Sequence, residues 1–363
     1  MPRDRRYPNF SSNPEEPPMQ TIPAPILTDF VADIFQAAGV PERVAEEVAA
    51  SLVASNLAGH DSHGVVRVMQ YIGAVERGET DAHATPAITH QTSVLAVIDA
   101  RRSFGQVAAA FAMRTALAKA RDAGIAAVTL YNSSHVGRLG EWVEMAAAEG
   151  MIGLAFCNGG RSGGIVAPYG GAARRLGTNP IAAAVPLADR PPFVLDFATS
   201  AVAEGKVRVA RNSGKEIPTG WVLDKEGNPT TNPADLYEGG MLVPAAGHKG
   251  YSLALLVDLL GGMLTGGGSA PQAGTLQSNG VLFIVLSISA FRTPEEFYAE
   301  AGAMVERIKS TPPAPGFSAV LLPGEPEQQS AAQRRATGVP LDDGTWAQML
   351  AEAARLGVAV PTE

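Results

Sequence analysis

Apolar residues recur every three to four positions in the first well-patterned stretch of the chain, as in an amphipathic helix. Ile26, Phe30 and Ile34 share one face there, and Gly39 provides a stop signal. Pro41 then suits the first turn of a second helix with the same kind of inner face. The pattern therefore predicts a helical lobe near the N-terminus.

Farther along, short apolar runs alternate with helical patterns, which predicts an α/β core. The predicted strands are Ser93–Ala100, Ile125–Tyr131, Ile152–Phe156, Ile181–Val185, Phe193–Leu195, Val281–Ile288 and Ala319–Leu322. The predicted helices are Gln106–Ala123, Glu141–Glu149, Lys249–Leu264, Pro294–Lys309 and Trp346–Leu356, the last capped by Asp342 or Asp343. Glycine and proline are dense in 159–192 and 261–280, which are therefore candidate binding loops.

These patterns divide the chain into four parts. The first 25 residues contain many prolines and little apolar periodicity, which is typical of a disordered tail. The expected division is a tail over 1–25, a helical lobe over 26–80, an α/β core over 81–325 and C-terminal helices over 326–363.

Composition and charge exclude several classes of protein. The 363 residues are 46% hydrophobic and 18% charged, which indicates a folded globular chain. A net charge of −8 argues against nucleic acid or an anionic membrane as partner. Cys157 is the single cysteine, so an internal disulfide is excluded. With no apolar run long enough for a signal peptide or a membrane span, the expected location is the cytoplasm.

Familiar phosphate-binding motifs are missing. The sequence contains neither the G-x-G-x-x-G of a Rossmann unit nor the G-x-x-x-x-G-K-[ST] of a P-loop. Residues 160–164 match G-x-S-x-G, the nucleophile elbow of serine hydrolases, and Ser162 would be the nucleophile. Pro168 and the glycines near it do not suit the helix that an elbow requires. A hydrolase therefore stays an alternative only.

A polar cluster follows the second predicted helix. His60, Asp61 and His63 could bind a metal, but H-E-x-x-H spacing is absent and we predict no metal site. The same residues could instead cap a helix that begins near His63. On such a helix His63 and Arg67 would share a face, pairing an imidazole for proton transfer with a guanidinium that can bind a carboxylate.

A second candidate histidine follows a predicted strand. His135 comes soon after the strand that ends at Tyr131 and precedes a predicted helix. Open α/β sheets bind ligands at the carboxyl ends of their strands. His135 is therefore a candidate site residue, although a hydrogen-bonded loop histidine with no catalytic role is an equal alternative.

Taken together, these segments resemble the malate/L-lactate dehydrogenase family, whose nicotinamide-binding fold is not of the Rossmann type. The match extends over nearly the whole chain from about residue 26, and Phe104–Val107 with Ile125–Val128 is most similar to the hydroxycarboxylate dehydrogenase branch. The resemblance implies an α/β fold with a mixed sheet flanked by helices, and a helical lobe formed by N- and C-terminal segments. The motifs that carry it are, in order, Gly59–Gly64, Asn132–Gly137, Pro168–Gly171, Leu176–Pro180, Asp196–Ser200, Gly247–Tyr251 and Leu322–Glu325.

The resemblance also implies a cofactor, NAD or NADP, and the residues that bind it. Glycines and backbone amides would hold the pyrophosphate, and Arg138 or Lys249 would neutralise it. The implied cofactor-binding residues are His63, Gly137, Arg138, Leu139, Val194, Leu195, Asp196, Phe197, Ala198, His248, Lys249, Asn279, Pro323, Gly324, Glu325 and Pro326.

The expected reaction transfers a hydride between nicotinamide and C2 of a 2-hydroxy acid, such as malate or lactate, or the matching 2-oxo acid. A histidine must then move the hydroxyl proton. We favour His135 for this role over His63, with Arg67 holding the substrate carboxylate. A homodimer is expected from the resemblance. The alternatives are a cyclic-imine reductase acting on Δ1-pyrroline- or piperideine-2-carboxylate, the serine hydrolase, and a binding protein without catalysis.

Overall fold

The computed structural model describes residues 20–159, 164–269 and 278–361. Among them the strands are β1 (Gln20–Ile22), β2 (Ala87–Gln91), β3 (Leu95–Asp99), β4 (Ile125–Ser133), β5 (Met151–Asn158), β6 (Ile181–Leu187), β7 (Arg190–Phe197), β8 (Val222–Leu223), β9 (Pro229–Thr230), β10 (Met241–Leu242), β11 (Asn279–Ser287) and β12 (Val339–Leu341). The α-helices are α1 (Ala24–Ala37), α2 (Glu42–Leu57), α3 (Val68–Glu76), α4 (Gly105–Ala123), α5 (Leu139–Ala148), α6 (Glu204–Asn212), α7 (His248–Val257), α8 (Pro294–Lys309), α9 (Glu325–Thr337) and α10 (Asp343–Leu356).

A seven-stranded mixed sheet organises the chain, in the order β2-β3-β4-β11-β5-β6-β7. Only β3 and β4 are parallel neighbours, and every other adjacent pair in this sheet is antiparallel. It follows that β3, β4, β5 and β7 all run in one direction. Their carboxyl ends therefore meet at one edge of the sheet, where His135 also lies.

Two helices cover the sheet, and their small side chains allow close packing. The alanines of α4 form a buried face, which packs with buried residues of α5 and of the central strands in one apolar core. Alternating burial along β5 and β6 shows that alternate side chains point into this core. Gly124 ends α4 with φ +80°, a conformation that glycine adopts readily.

A second core lies in a helical lobe built from both ends of the chain. Buried residues of α1, α2 and α3 pack there with those of β12 and α10, and β1 pairs with β12. Asp342 caps α10, because its side chain accepts a hydrogen bond of 2.9 Å from the Thr345 amide. The expected fold, a mixed sheet flanked by helices with a lobe from N- and C-terminal segments, is thus confirmed.

A smaller layer lies beside the end of β7. The three-stranded sheet β10-β8-β9 and α6 share an apolar cluster that includes Val207 and Leu236. Backbone bonds join this layer to the chain after β7, since the Ala245 amide donates to the Thr199 carbonyl at 2.8 Å. The sequence patterns did not predict α6 or these short strands.

Three expected boundaries were wrong. The tail was expected to end at residue 25, but Ile22 is buried in the lobe core and α1 begins at Ala24. The expected strand Ala319–Leu322 is irregular: Leu321 is exposed and no partner strand runs beside it among the described residues. The expected helix Lys249–Leu264 is α7 followed by a π-helix, Asp258–Met263.

The helix expected to begin near His63 is also wrong, because two 3-10 turns precede α3. The turns are Asp61–His63 and Val65–Arg67, separated by an extended Gly64. A Cβ on Gly64 would lie 2.1 Å from the Asn56 amide oxygen, so the Asn56 side chain requires a glycine there. Ser162 and the rest of 160–163 lie outside the described residues.

We predict that Gly105→Ala destabilises the protein strongly. A Cβ there would lie 2.1 Å from the His135 carbonyl oxygen, so the backbone on one side must move. The expected loss in the free energy of unfolding is about 2 kcal/mol or more, comparable with overpacking in a core. Denaturant unfolding measures it.

The matched control is Gly302→Ala in α8, where nothing lies within 4 Å of the added Cβ. Replacing glycine by alanine inside an accessible helix should stabilise by about 0.5–1 kcal/mol. A Gly105→Ala protein as stable as wild type would contradict the close contact.

Candidate functional site

The loop that carries His135 is fixed by contacts on three sides. Its backbone lies against Gly105 at the start of α4. The Val136 amide donates to the Asn279 side chain at 3.0 Å, and the Val136 carbonyl accepts from the Trp142 indole at 3.0 Å. Asn279 in turn donates to the Asn158 carbonyl at 2.8 Å. The ends of β4, β11 and β5 therefore hold the loop in one position.

Two histidines from different parts of the fold stack on each other. The rings of His63, from the lobe, and His135, from the sheet edge, are 5.5 Å apart between centroids and inclined by 12°. The Tyr71 hydroxyl lies 2.7 Å from His135 Nδ1 and accepts from the Gln106 amide at 3.0 Å. Because a hydroxyl both donates and accepts, Tyr71 fixes the His135 ring in either tautomer and leaves Nε2 for a ligand.

Arg67 lies close to both histidines and is half-buried. Its Nε donates to the Ser62 carbonyl at 2.6 Å, and its Nη1 donates to the Gln70 side chain at 2.7 Å. Among the described residues, no carboxylate lies within ion-pair distance of this guanidinium. Burial lowers the pKa of Arg67. A half-buried cation without an anionic partner among the described residues is a natural site for a ligand carboxylate.

Burial and positive charge keep the two imidazoles neutral. Burial, followed by the charges of Arg67, His60 and Arg138, lowers the pKa of His63 to about 3. Burial and the same Arg67 charge lower the pKa of His135 well below its usual value. Both rings can therefore accept a proton only when a nearby anion offsets these effects.

Arg138 lies at the start of α5 and is 5% exposed. Its Nη atoms bind the Glu144 carboxylate at 3.1 and 2.8 Å. Its buried Nε has no hydrogen-bond partner among the described residues. Beside it, the Asp196 carboxylate at the end of β7 accepts from the Gly140 amide at 2.7 Å. An unpaired buried N–H on a cation fits an anionic group such as a pyrophosphate.

The turn before α9 packs on β7. Both segments were expected to bind the cofactor, which requires them to lie close together. The Val194 amide donates to the Pro323 carbonyl at 3.1 Å, and Gly324, with φ +95°, lies against Val194. His60 and Glu327 of α9 pair at 3.4 Å, which joins this turn to the histidine loop.

The predicted site residues thus fall into two groups. His63, Arg67, His135, Arg138 and Asp196 lie close together. His248 and Lys249 form the second group. Both are exposed at the start of α7, and no contact among the described residues joins them to the histidine pair. The His248 ring packs edge-on to Tyr169. The remaining expected cofactor residues differ in exposure. Gly137 and Leu139 are buried next to Arg138. The half-buried ones are Leu195, Ala198 and Glu325, and the exposed ones are Phe197, Pro323 and Pro326.

Tyr71 and Gln106 were missed by sequence reasoning. Tyr71 follows Arg67 by four residues, and that spacing was the available signal for it. Within the described ranges, no group of three or more His, Cys, Asp or Glu side chains could hold a metal ion. No helix in those ranges is long and apolar enough to cross a bilayer.

Comparison with known proteins agrees with this arrangement. The family model for malate/L-lactate dehydrogenase matches residues 22–350. The chain belongs to this family. It is 39% identical to hydroxycarboxylate dehydrogenase B of Escherichia coli K12 over 94% of this chain and 95% of that protein. It is 38% identical to an L-lactate dehydrogenase of Cupriavidus necator over 91% of this chain and 96% of the relative.

A solved structure shows the same fold at similar identity. The malate dehydrogenase of Pyrococcus horikoshii superposes with a TM-score of 0.86 at 34% identity, covering 96% of this chain and 99% of that one. Family membership explains how a chain without G-x-G-x-x-G can be a dehydrogenase, while relatives named for different substrates show that the family alone does not fix the substrate.

We predict that His63→Gln reduces the loss of stability in acid. The unfolded state binds a proton at His63 near the usual histidine pKa of 6.5, whereas the folded state does so only near pH 3. Wild-type stability should therefore fall as the pH drops below 6.5, by up to about 1.4 kcal/mol per pH unit from this group. The amide of the substituted glutamine cannot bind the proton, so the variant should lose less.

Urea unfolding at pH 7.5, 6, 5 and 4 measures the difference in slope. His90→Gln, at an exposed position of the edge strand β2, controls for removal of an imidazole and should follow the wild type. Equal slopes for wild type and His63→Gln would show that His63 is not held neutral by burial.

Proposed function

We propose that the protein is an NAD(P)-dependent 2-hydroxyacid dehydrogenase that also reduces the matching 2-oxo acid. The observation that carries this proposal is the stacked pair His63 and His135 beside Arg67, a guanidinium without a carboxylate partner among the described residues. The arrangement offers a proton-transfer group next to a carboxylate-binding group, as a 2-hydroxy acid requires. Family membership supports the same reaction class.

The residues present fit a nicotinamide dinucleotide. Arg138 Nε would bind a pyrophosphate oxygen, and His63, β7 from Val194 to Ala198 and the turn Pro323–Pro326 would line the rest of the cofactor site. His248 and Lys249 would contribute from the start of α7, and Asn279 would hold the His135 loop against the cofactor. When bound, the nicotinamide supplies or accepts the hydride at C2 of the substrate.

Arg67 would hold the substrate carboxylate, and this binding would also prepare the histidines. A carboxylate beside Arg67 would offset the part of the lowering of the His63 and His135 pKa values that comes from the Arg67 charge, so both values would rise. A histidine with a pKa near working pH transfers protons most effectively. Substrate binding and proton transfer are thereby coupled through one guanidinium.

We assign the proton transfer to His135 and place His63 nearer the cofactor. Tyr71 holds the Nδ1 side of His135, so Nε2 is available to the substrate oxygen. In oxidation Nε2 would take the hydroxyl proton, and in reduction it would return one to the oxo oxygen. The Nδ1 of His63 instead lies 3.2 Å from the hydroxyl of its neighbour Ser62.

We propose that the protein is a homodimer and that it works in the cytoplasm. Cys157 is a buried free thiol, which suits a reducing compartment. A row of exposed apolar side chains supports self-association, since such faces on soluble proteins usually meet a partner. The row runs along α7 and the π-helix and comprises Leu255, Leu256, Leu259, Met263 and Leu264.

We predict that the purified protein oxidises NADH or NADPH with at least one 2-oxo acid among oxaloacetate, pyruvate and phenylpyruvate. Absorbance of the reduced cofactor measures the reaction. His135→Gln should lower kcat by about 10²- to 10⁴-fold, the usual contribution of a general acid or base, while His90→Gln should retain activity.

The panel also includes Δ1-pyrroline-2-carboxylate and an acyl ester. Faster turnover of the imine than of every 2-oxo acid would replace our proposal with an imine reductase. Ester hydrolysis with labelling of Ser162 by a fluorophosphonate would replace it with a hydrolase. Nucleotide-independent ligand binding without turnover would indicate a binding protein.

We predict that Leu259→Glu converts a dimer into a monomer. Leu259 is 54% exposed at the centre of the apolar row, and a charge there would oppose its burial in an interface. Sedimentation velocity measures the change. Phe291→Glu is the control. Phe291 is 69% exposed and follows β11 in the chain, whereas the apolar row precedes β11, so the same added charge should leave the dimer intact. A monomeric wild type would refute the proposed assembly.

A further inference from the structure

Two short turns carry groups that we assign to the reaction. His63 ends the first 3-10 turn and Arg67 ends the second, with the extended Gly64 between them. A 3-10 turn of three residues has few backbone hydrogen bonds of its own, so contacts from outside fix its orientation. Side chains that bind these turns from neighbouring elements therefore control where the two groups point.

One buried side chain, that of Asn56 in the last turn of α2, holds both 3-10 turns. Its amide nitrogen donates to Asp61 Oδ1 in the first turn at 2.6 Å. Its amide oxygen accepts from the Val65 backbone amide in the second turn at 2.8 Å. Asn56 is 2% exposed. Because the donor and the acceptor of one amide group are both used, the two turns move together when this side chain moves.

Arg334 of α9 holds the same arrangement from the opposite side. Its Nη1 and Nη2 donate to the two Asp61 oxygens at 2.6 and 3.1 Å, and Nη1 also donates to the Asn56 carbonyl at 2.5 Å. A bidentate pair fixes the angle between its partners as well as their distance. The Ser330 hydroxyl, one turn earlier on α9, donates to the Leu57 carbonyl at 3.0 Å. Helix α9 is thus fixed on the end of α2, and Arg334 extends this contact to the first 3-10 turn.

The start of α9 lies at the proposed cofactor site. The turn Pro323–Pro326 leads into the helix and packs on β7 through the 3.1 Å bond between the Val194 amide and the Pro323 carbonyl. Glu327, which pairs with His60 at 3.4 Å, is also in the first part of the helix. Arg334 lies about two turns farther along. Removing its guanidinium should therefore disturb the 3-10 turns and leave the cofactor turn in place.

We propose that Arg334 is a positioning residue, which acts on the site through Asp61 and Asn56 and does not itself contact the substrate. It holds the two 3-10 turns in the orientation that places Arg67 beside the substrate carboxylate and stacks the two histidines. This inference rests on the proposed function, in which these groups handle the substrate. A displacement of about 1 Å in such groups can reduce the rate by roughly 100-fold.

The first experiment measures the steady-state kinetics of Arg334→Gln with the 2-oxo acid that the wild type reduces fastest. We expect kcat/KM to fall by roughly 10- to 100-fold, with KM raised by displacement of Arg67 and kcat lowered by misalignment of the histidines. The dissociation constant of NADH or NADPH, measured by calorimetry, should stay close to the wild-type value. Arg334→Lys should restore part of the activity, because lysine keeps the charge without the planar fork.

Arg335→Gln is the matched control. Arg335 is the next residue of α9 and is exposed, whereas the Arg334 side chain is 19% exposed. The control removes the same charge from the same helix, and it should keep the wild-type kcat/KM. Thermal unfolding of each variant measures any loss of stability separately from the kinetics, so that folded enzymes are compared.

A double-mutant cycle tests whether Arg334 acts through Asp61. In that case Asp61→Asn should lower kcat/KM to a similar degree, and the double variant should be hardly less active than either single variant. Losses that multiply in the double variant would show that the two residues act independently, which would overturn the inference.

The kinetic results also separate this inference from the proposed function. An unchanged kcat/KM in Arg334→Gln, or an equal loss in Arg335→Gln, would overturn the inference while the wild type still reduces 2-oxo acids. Lower stability of Arg334→Gln without a kinetic change would overturn it too, since the bidentate pair would then support the fold alone. Absence of reduced-cofactor oxidation by the wild type with any 2-oxo acid would instead overturn the proposed function and this inference together.

Discussion

Three consecutive residues at the start of α4 join the helical lobe to the sheet, and the site depends on this junction. Phe104 is buried in the core of the lobe. Gly105 allows the His135 backbone to lie directly against it, and Gln106 donates to the hydroxyl of Tyr71. The two histidines can stack because this short segment fixes the lobe and the sheet edge relative to each other.

The electrostatics of the site follow from that geometry. The lobe brings His63 and Arg67 to the sheet edge, where they meet His135 in partly buried surroundings. A guanidinium held there without a carboxylate from the described residues makes protonation of either imidazole unfavourable. In the reaction we propose, the anionic group of the substrate would therefore bind before either imidazole takes a proton, and a neutral alcohol or ketone would lack that group.

The sequence predicted regular elements well where one physical signal dominated. Pro294–Lys309 was predicted with the observed bounds, and in the structure Thr293 caps this helix, which starts with proline. The strand Ala319–Leu322 failed because apolar composition alone does not provide a neighbouring strand. The helix expected at His63 failed because Gly64 is extended and the Val65 amide donates to the Asn56 side chain at 2.8 Å. Gln106 was missed because its role, a hydrogen bond to the Tyr71 hydroxyl, arises from a tertiary contact that no local pattern encodes.

A mixed sheet can present the same kind of binding edge as the parallel sheet of a Rossmann fold. In the parallel case every carboxyl end points the same way by construction. Here β11 lies antiparallel between β4 and β5, and β6 lies antiparallel between β5 and β7. As a result β4, β5 and β7 run in the same direction. The ends of β4 and β7 then supply His135 and Asp196 to one edge. Under the proposed function, the buried side chain of Arg138 at that edge would bind the anionic group of the cofactor, so the fold would not need a glycine-rich phosphate loop.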